Sequence, residues 1–179
     1  MRGLLKFIVS LTVAFLVMLL VRALAFTVCT INGEGQHPVL RKGDRILVNR
    51  WAYGLRTGDG RLFSYGRLLR QPVEKGDLVA FENPTDSTDS SIFICRCTAL
   101  PGDTVQVNGM PVRVPSLSLC ADGDYYWMEP VVTGQGKNTQ GSETFGFVPE
   151  QCIIGRACMV IFNCDEQHRF ASDRSFLPL

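Results

Sequence analysis

The stretch Phe26–Arg56, FTVCTINGEGQHPVLRKGDRILVNRWAYGLR, follows a hydrophobic N-terminal segment and organises the rest of the chain. In its second half, Gly43-Asp44 forms turns readily, and the branched run Ile46-Leu47-Val48 is too short to prefer a helix. These residues predict a turn followed by a short buried strand. The first half, Thr30–His37, is polar and contains two glycines. We therefore expect a flexible loop between a hydrophobic segment and a rigid strand, where functional side chains often lie.

Composition limits the class of protein. A chain of 179 residues with 20% charged side chains suits one compact domain with a membrane segment. Its formal net charge of +1 gives no basis for a nucleic-acid partner. Seventeen glycines and nine prolines along the whole length favour short strands and turns.

The N-terminal segment carries the clearest physical signal. Arg2 and Lys6 precede residues 7–21, which have no charge and are mostly large and apolar. From Leu4 to Phe26 the segment is long enough to cross a hydrocarbon core of roughly 30 Å. Insertion would gain on the order of 5 kcal/mol, which outweighs the cost of Arg22 near the end of the span.

Two interpretations of this segment both place the following domain outside the cytoplasm. The first is a retained signal-anchor in residues 1–26, single-pass in the inner membrane, with residues 27–179 forming an extracytoplasmic domain on the periplasmic side. The second is a cleaved signal peptide, because Ala23-Leu24-Ala25 fits a small-x-small cleavage site. We favour the anchor, because Arg22 beside that cleavage site is unusual.

Turn signals recur along the rest of the chain. Each is followed by a short apolar run, which predicts a mostly β fold with antiparallel strands. The three turn-plus-strand units are Gly43-Asp44 before 45–49, Gly76-Asp77 before 78–82, and Pro101-Gly102-Asp103 before 104–107. Further strands are predicted at 92–97, 111–114, 125–128, 147–148 and 152–162.

Between the first two units, residues 56–70 contain four arginines and a single acid, Asp59. Aromatic and leucine side chains are interleaved with the arginines. One interpretation is a loop or hairpin that contacts membrane lipid headgroups. The other is an ordinary solvated surface, and the sequence favours neither.

The seven cysteines do not predict a metal site. Their number is odd, and no Cys-x-x-Cys occurs. We expect the thiols of Cys95 and Cys97 to point to opposite faces of a strand, which also argues against zinc. An oxidising compartment would allow one or two disulfides, and the remaining cysteines are expected to be small buried hydrophobic residues. No cofactor is expected.

The motifs after residue 37 resemble the opening of type I signal peptidases. The matching motifs, in the family's spacing, are Pro38-Val39-Leu40, Gly43-Asp44, Val48-Asn49 and Ala52-Tyr53-Gly54. The resemblance implies a signal-peptidase-like antiparallel β domain behind a retained transmembrane anchor, with serine endopeptidase activity on the signal peptides of preproteins. The family's nucleophilic serine, three residues before the proline, falls on Gly35.

The second motif lacks the family's general base. Phe93–Asp103, FICRCTALPGD, resembles the strand that carries the family's lysine, and its arginine and Leu-Pro-Gly-Asp turn match. The lysine position holds Cys95. A shifted alignment does not restore the pair, because no serine occurs from residue 11 to 63 and no lysine from residue 76 to 136.

The third motif is altered as well. Glu129-Pro130-Val131 stands where the family has Gly-Asp-Asn, its later aspartate falls on Gly141, and its arginine falls on Glu143. Thr139 keeps a hydroxyl. The following Gly146–Glu150 turn still resembles the family.

Three hypotheses follow. The first is a pseudoenzyme that binds extended, small-residue segments of signal peptides near the membrane. The second is an active endopeptidase with an unorthodox nucleophile: either Cys29, with His37 as its base, or Cys95, for which the sequence shows no nearby base. The third is a scaffold subunit of a secretion or processing assembly, beside an active signal peptidase. The candidate substrate-cleft residues are Glu34, Gln36, His37, Pro38, Phe93, Arg96, Thr139 and Ser142.

Overall fold

The computed structural model describes residues 2–30, 40–41, 43–58, 65–85, 91–118, 123–131, 141–164, 170–171 and 175–179. Two helices lie within these residues, α1 (Arg2–Ala25) and α2 (Ser142–Phe145). The strands are β1 (Phe26–Thr30), β2 (Asp44–Asn49), β3 (Leu55–Thr57), β4 (Gly66–Leu68), β5 (Leu78–Glu82), β6 (Ile92–Ala99), β7 (Thr104–Val107), β8 (Met110–Arg113), β9 (Tyr125–Glu129), β10 (Val148–Pro149), β11 (Ile153–Cys164), β12 (Phe170–Ala171) and β13 (Leu177–Pro178). The mostly β class predicted from the turns is confirmed.

One antiparallel sheet forms the body of the domain. Its strand order is β1-β2-β11-β5-β6-β9-β10, and β12 and β13 also pair with β11. The hairpins β3–β4 and β7–β8 form two separate two-stranded sheets. The long strand β11 joins the two halves, because it pairs with β2 over Arg156–Asn163 and with β5 over Ile153–Arg156. At Gly155 an added Cβ would run into the backbone of Asn49 and Arg50, so this close approach requires glycine.

The three Gly-Asp turns share one hydrogen-bond pattern. In each, the glycine has a positive φ between 84° and 94°, as position i+2 of a type II turn requires. The aspartate carboxylate that follows accepts a hydrogen bond from the backbone N–H three residues before it. These contacts are Arg41 to Asp44 at 2.7 Å, Glu74 to Asp77 at 3.2 Å, and Leu100 to Asp103 at 2.8 Å. The recurring dipeptide thus closes the turn that delivers each strand.

The sheet separates two hydrophobic clusters. On β5, Val79 and Phe81 belong to the first cluster, whereas Leu78 and Ala80 belong to the second, as alternation along a strand requires. The first cluster comprises Tyr53, Val73, Val79, Phe81, Cys95, Cys97, Tyr126, Met128, Val148 and Ile153. The second comprises Cys29, Leu40, Ile46, Val48, Leu78, Ala80, Ile94, Ala157 and Val160.

The expectation that Cys95 and Cys97 point to opposite faces was wrong. Both lie fully buried in the first cluster, because residues two apart on a strand share a face. Six of the seven cysteines lie in the described part of the chain, and none of these six forms a disulfide. Cys29, Cys95 and Cys97 are buried, as the sequence predicted, whereas Cys152, Cys158 and Cys164 are partly exposed.

Helix α1 is 24 residues long, and its large apolar side chains between Phe7 and Leu19 are exposed. By a joint criterion of helix length and mean hydropathy, no helix in the described residues qualifies as a membrane span. Strand β1 begins at Phe26, directly after the helix. The Arg50 N–H donates to the Ala25 carbonyl at 2.9 Å, which fixes the end of α1 against the turn that follows β2.

Residues 56–70 contain a hairpin, as one of the two interpretations proposed, but the arginines described there bind the protein itself. The Arg67 side chain is 1% exposed. It donates to the Tyr65 hydroxyl at 2.7 Å and to the carbonyls of Gly54, Glu150 and Ile153 at 3.1, 3.0 and 2.5 Å. The prediction of lipid contact is therefore wrong for Arg67. Its guanidinium links the β3–β4 hairpin to the main sheet through hydrogen bonds.

Candidate active site

Cys95, which the resemblance sets at the position of the family's lysine, is a buried thiol. Cys95 lies in the middle of β6, opposite Val79 of β5, because the apolar, β-branched and aromatic residues of both strands favour pairing there. Its side chain is fully buried in the first hydrophobic cluster. The surroundings of Cys95 are therefore apolar.

Three aromatic rings cover this part of the sheet. The ring centroids of Phe93 and Phe145 are 4.8 Å apart, those of Phe81 and Phe93 are 5.9 Å apart, and those of Phe81 and Phe145 are 6.4 Å apart. Phe145 is the last residue of the short helix α2, so the ring contacts hold α2 against β5 and β6. Phe93 itself is half-buried, whereas Arg96 is exposed on the same strand.

The hydroxyl of Ser142 has a structural partner. The Met128 N–H donates to Ser142 Oγ at 2.8 Å, and the Ser142 side chain lies in the interior. A buried backbone N–H without a partner would cost about 1–3 kcal/mol, so this contact supports the junction of β9 and α2. Ser142 has a place in the fold that needs no catalytic role.

Beside Ser142, Gly141 lies too close to β9 to carry a side chain. An added Cβ would lie 2.7 Å from Pro130 Cδ and 2.9 Å from the Met128 carbonyl oxygen. Gly141 has an extended backbone, with φ −139° and ψ −161°, so its φ and ψ do not require glycine. The obstacle is the proline ring, which stands where the family has the aspartate of Gly-Asp-Asn. The sequence comparison noted both substitutions but did not show that they touch.

The remaining candidates lie outside the described residues. They are Glu34, Gly35, Gln36, His37, Pro38 and Thr139. The prediction that Gly35 and Cys95 lie side by side therefore stays a prediction.

Cys29 is a poor candidate for an alternative nucleophile. It is 5% exposed, and burial raises the pKa of its thiol. A raised pKa keeps the thiol protonated, whereas the thiolate is the reactive form. Cys29 also belongs to the second hydrophobic cluster, on the opposite side of the sheet from Cys95.

Other buried groups next to Cys95 are structural as well. Burial, with a smaller contribution from the Asp77 carboxylate, raises the pKa of Cys97 to about 12. Asp77 accepts a hydrogen bond from the Tyr53 hydroxyl at 2.9 Å and forms an ion pair with Arg156 at 3.2 Å. Within the described ranges, no three His, Cys, Asp or Glu residues are grouped closely enough to hold a metal ion.

Comparisons with known proteins match the part of the chain that contains the first two motifs. The sequence profile of the family described as "Signal peptidase, peptidase S26" matches residues 4–122, more than half of the chain. The chain is 28% identical to signal peptidase IB of Staphylococcus aureus strain Mu50 over 187 aligned residues, which cover 94% of this chain and 95% of the relative. It is 30% identical to signal peptidase I of Leptolyngbya laminosa over 71% of this chain and 64% of that relative. On this match, the chain belongs to the signal peptidase S26 family.

Proposed function

We propose that this chain is a membrane-anchored signal peptidase homologue that no longer hydrolyses peptide bonds and that binds extended peptide segments at the membrane surface. The observation that carries the proposal is the buried Cys95 thiol in the position of the family's lysine. A serine–lysine protease needs a neutral amine that takes the proton of the nucleophile. A cysteine side chain supplies no such amine.

The contact between Gly141 and Pro130 supports the same conclusion. The family resemblance expects an aspartate at position 141, and the proline ring occupies the space that its Cβ would need. Loss of catalysis therefore extends beyond the nucleophile and the base to the part of the site built by β9 and α2.

Peptide binding is supported by the pairing of β6. Strand β5 pairs with β6 from Ile92 to Arg96, whereas the ladder to β9 covers only Arg96–Ala99 among the described residues. An extended peptide added along Ile92–Ile94 would continue the sheet on the side of β9. Such binding uses backbone hydrogen bonds and needs no catalytic pair.

The anchor proposal rests on the length of α1 and on its exposed apolar side chains, although no helix in the described residues meets the joint criterion of length and mean hydropathy. At about 1.5 Å per residue its 24 residues extend about 36 Å, more than the roughly 30 Å hydrocarbon core of a bilayer. The exposed apolar side chains of residues 7–19 would face lipid, and the basic Arg2 and Lys6 favour a cytoplasmic N-terminus. The β domain would then lie outside the cytoplasm, next to the membrane.

The test is a cleavage and binding assay on the full chain in detergent. The wild type is expected to bind a fluorescent signal peptide but to leave a preprotein uncut, while Staphylococcus aureus signal peptidase IB serves as the active control. A peptide in which an ester replaces one backbone amide should bind more weakly, because β-sheet addition depends on that N–H.

Variants separate the alternatives. Gly35→Ser alone should give no cleavage, because an unassisted serine hydroxyl is a weak nucleophile. Cleavage by the wild type that disappears in Cys29→Ala or Cys95→Ala would overturn the pseudoenzyme proposal in favour of a thiol protease. Equal binding of the ester and amide peptides would reject the strand-addition mode while leaving the absence of hydrolysis intact.

A further inference from the structure

A small cavity lies where helix α1 meets the sheet. Its volume is about 190 Å³, and it is lined by Thr27, Arg50, Arg56, Glu82, Ile92 and Ile154. Binding sites for drug-sized molecules usually measure about 300–1,000 Å³, so this cavity suits a smaller chemical group. The Arg50 N–H binds the last carbonyl of α1, which places the cavity at the end of the helix.

Among the residues that line the cavity, positive charges exceed negative charges by one. Arg56 forms two hydrogen bonds to the Glu82 carboxylate, at 3.0 and 3.2 Å, and a third to the Gln151 carbonyl at 3.1 Å. That pair is neutral overall. Arg50 is half-buried, and in the described part of the chain no acidic side chain forms an ion pair with it. A partly buried guanidinium favours a ligand with anionic oxygens.

One lining residue and two chain neighbours of lining residues have exposed apolar side chains. Phe26 is 43% exposed, Trp51 is 44% exposed, and Ile92 is 39% exposed. Phe26 directly follows α1, and Trp51 directly follows Arg50. Exposed aromatic residues and a half-buried arginine near the end of an apolar helix are typical of membrane–water interfaces.

We propose that this cavity binds the phosphate diester of an anionic phospholipid headgroup, with Arg50 as the group that contacts the phosphate. The proposal rests on the membrane anchor proposed above, which would hold the cavity at headgroup level. Bound lipid would fix the domain's orientation relative to the membrane. Arg56 and Glu82, paired with each other, would form the opposite wall.

The experiment uses the full chain in a sugar detergent that contains no phosphate. The chain has two tryptophans, so ¹⁵N-tryptophan labelling gives one indole signal from Trp51, the residue after Arg50, and one reference signal from buried Trp127. Three probes are titrated: dihexanoyl phosphatidylglycerol, inorganic phosphate, and dihexanoylglycerol, which has the same chains without the phosphate. The Trp51 signal should shift saturably with the phospholipid and remain in place with dihexanoylglycerol.

Matched variants test the role of Arg50. Arg50→Gln should weaken the phospholipid's affinity about fivefold, as expected for one basic side chain near an anionic lipid. Arg45→Gln makes the same charge change at the opposite end of β2, where Arg45 lies over the Phe162 ring, and should leave affinity unchanged. Glu82→Gln removes the negative charge from the cavity and should tighten binding, which gives a second measure if Arg50→Gln disturbs the Trp127 signal.

Unchanged affinity in Arg50→Gln and Glu82→Gln would overturn the proposal, as would an equal shift with dihexanoylglycerol. A shift with inorganic phosphate but none with phosphatidylglycerol would replace the lipid site with a site for free anions. Neither result bears on the proposed peptide binding or on the proposed absence of hydrolysis, because those are tested with a signal peptide and a preprotein.

Discussion

Replacement of Gly141 by alanine tests whether packing closes the region in which the resemblance places the family's aspartate. The extended backbone at this position accepts alanine, which by itself would stabilise the protein by about 0.4–1 kcal/mol through the unfolded chain. The new Cβ would approach Pro130 Cδ to 2.7 Å and the Met128 carbonyl oxygen to 2.9 Å. Overpacking of this kind costs about 1–3 kcal/mol. We expect a net loss of about 1–2 kcal/mol, because neither the ring nor the carbonyl can rotate away.

The assay is equilibrium urea unfolding of the full chain in detergent, with thermal unfolding as a second measure. For a chain of this size the expected loss corresponds to a fall in Tm of roughly 2–8 °C. Gly66→Ala is the matched control, because its Cβ would meet only the Thr57 Oγ1 atom, at 3.1 Å, on a side chain that can rotate. The control should change the free energy of unfolding by about 0.5 kcal/mol or less.

A double variant identifies the obstacle. Pro130→Ala removes the Cδ atom, so combining it with Gly141→Ala should recover about 1 kcal/mol relative to the sum of the two single changes. Gly141→Asp, which restores the residue that the family resemblance expects, should destabilise the protein at least as much as alanine. A Gly141→Ala protein as stable as the wild type, or the absence of coupling to Pro130, would refute the argument that packing closes this region.

Three further predictions concern other parts of the molecule. Arg67→Met should lower the free energy of unfolding by about 3 kcal/mol or more, because it leaves the carbonyls of Gly54, Glu150 and Ile153 without this donor. Arg56→Met, at a partly exposed ion pair, should cost about 1 kcal/mol or less, and equal losses in urea unfolding would contradict the structural role of Arg67. The pKa of Cys97 is about 12 in the folded protein and 9.0 for a free thiol, so the contribution of this thiol to stability is complete below pH 9 and is lost as pH rises toward 12. In urea unfolding between pH 8 and pH 11, the free energy of unfolding should therefore fall more steeply with pH in the wild type than in Cys97→Ala. Parallel curves would refute this. Mass spectrometry of the membrane-extracted protein should find α1 still attached, and an N-terminus at Phe26 would replace the anchor with a cleaved signal peptide.

Local chemistry made most of the fold predictable. The strand predicted at 78–82 is observed with those bounds, and the one predicted at 92–97 extends to Ala99. These strands follow Gly-Asp turns or alternate in polarity, and both signals act over a few residues. The sequence missed β1, because Phe26–Thr30 continues the hydrophobic segment and gives no turn signal before it.

The sequence alone determined the family resemblance and the prediction that Gly35 and Cys95 stand at the nucleophile and base positions, because both depend on which residue stands at which spacing. Only the tertiary structure decided which groups meet across long separations. It places Pro130 beside Gly141. It also buries the Arg67 side chain, whose guanidinium donates hydrogen bonds to backbone carbonyls. It also grouped Arg50, Arg56 and Glu82 around one cavity. Contacts of this kind depend on how β11 joins the two halves of the sheet, and no local pattern in the chain encodes that register.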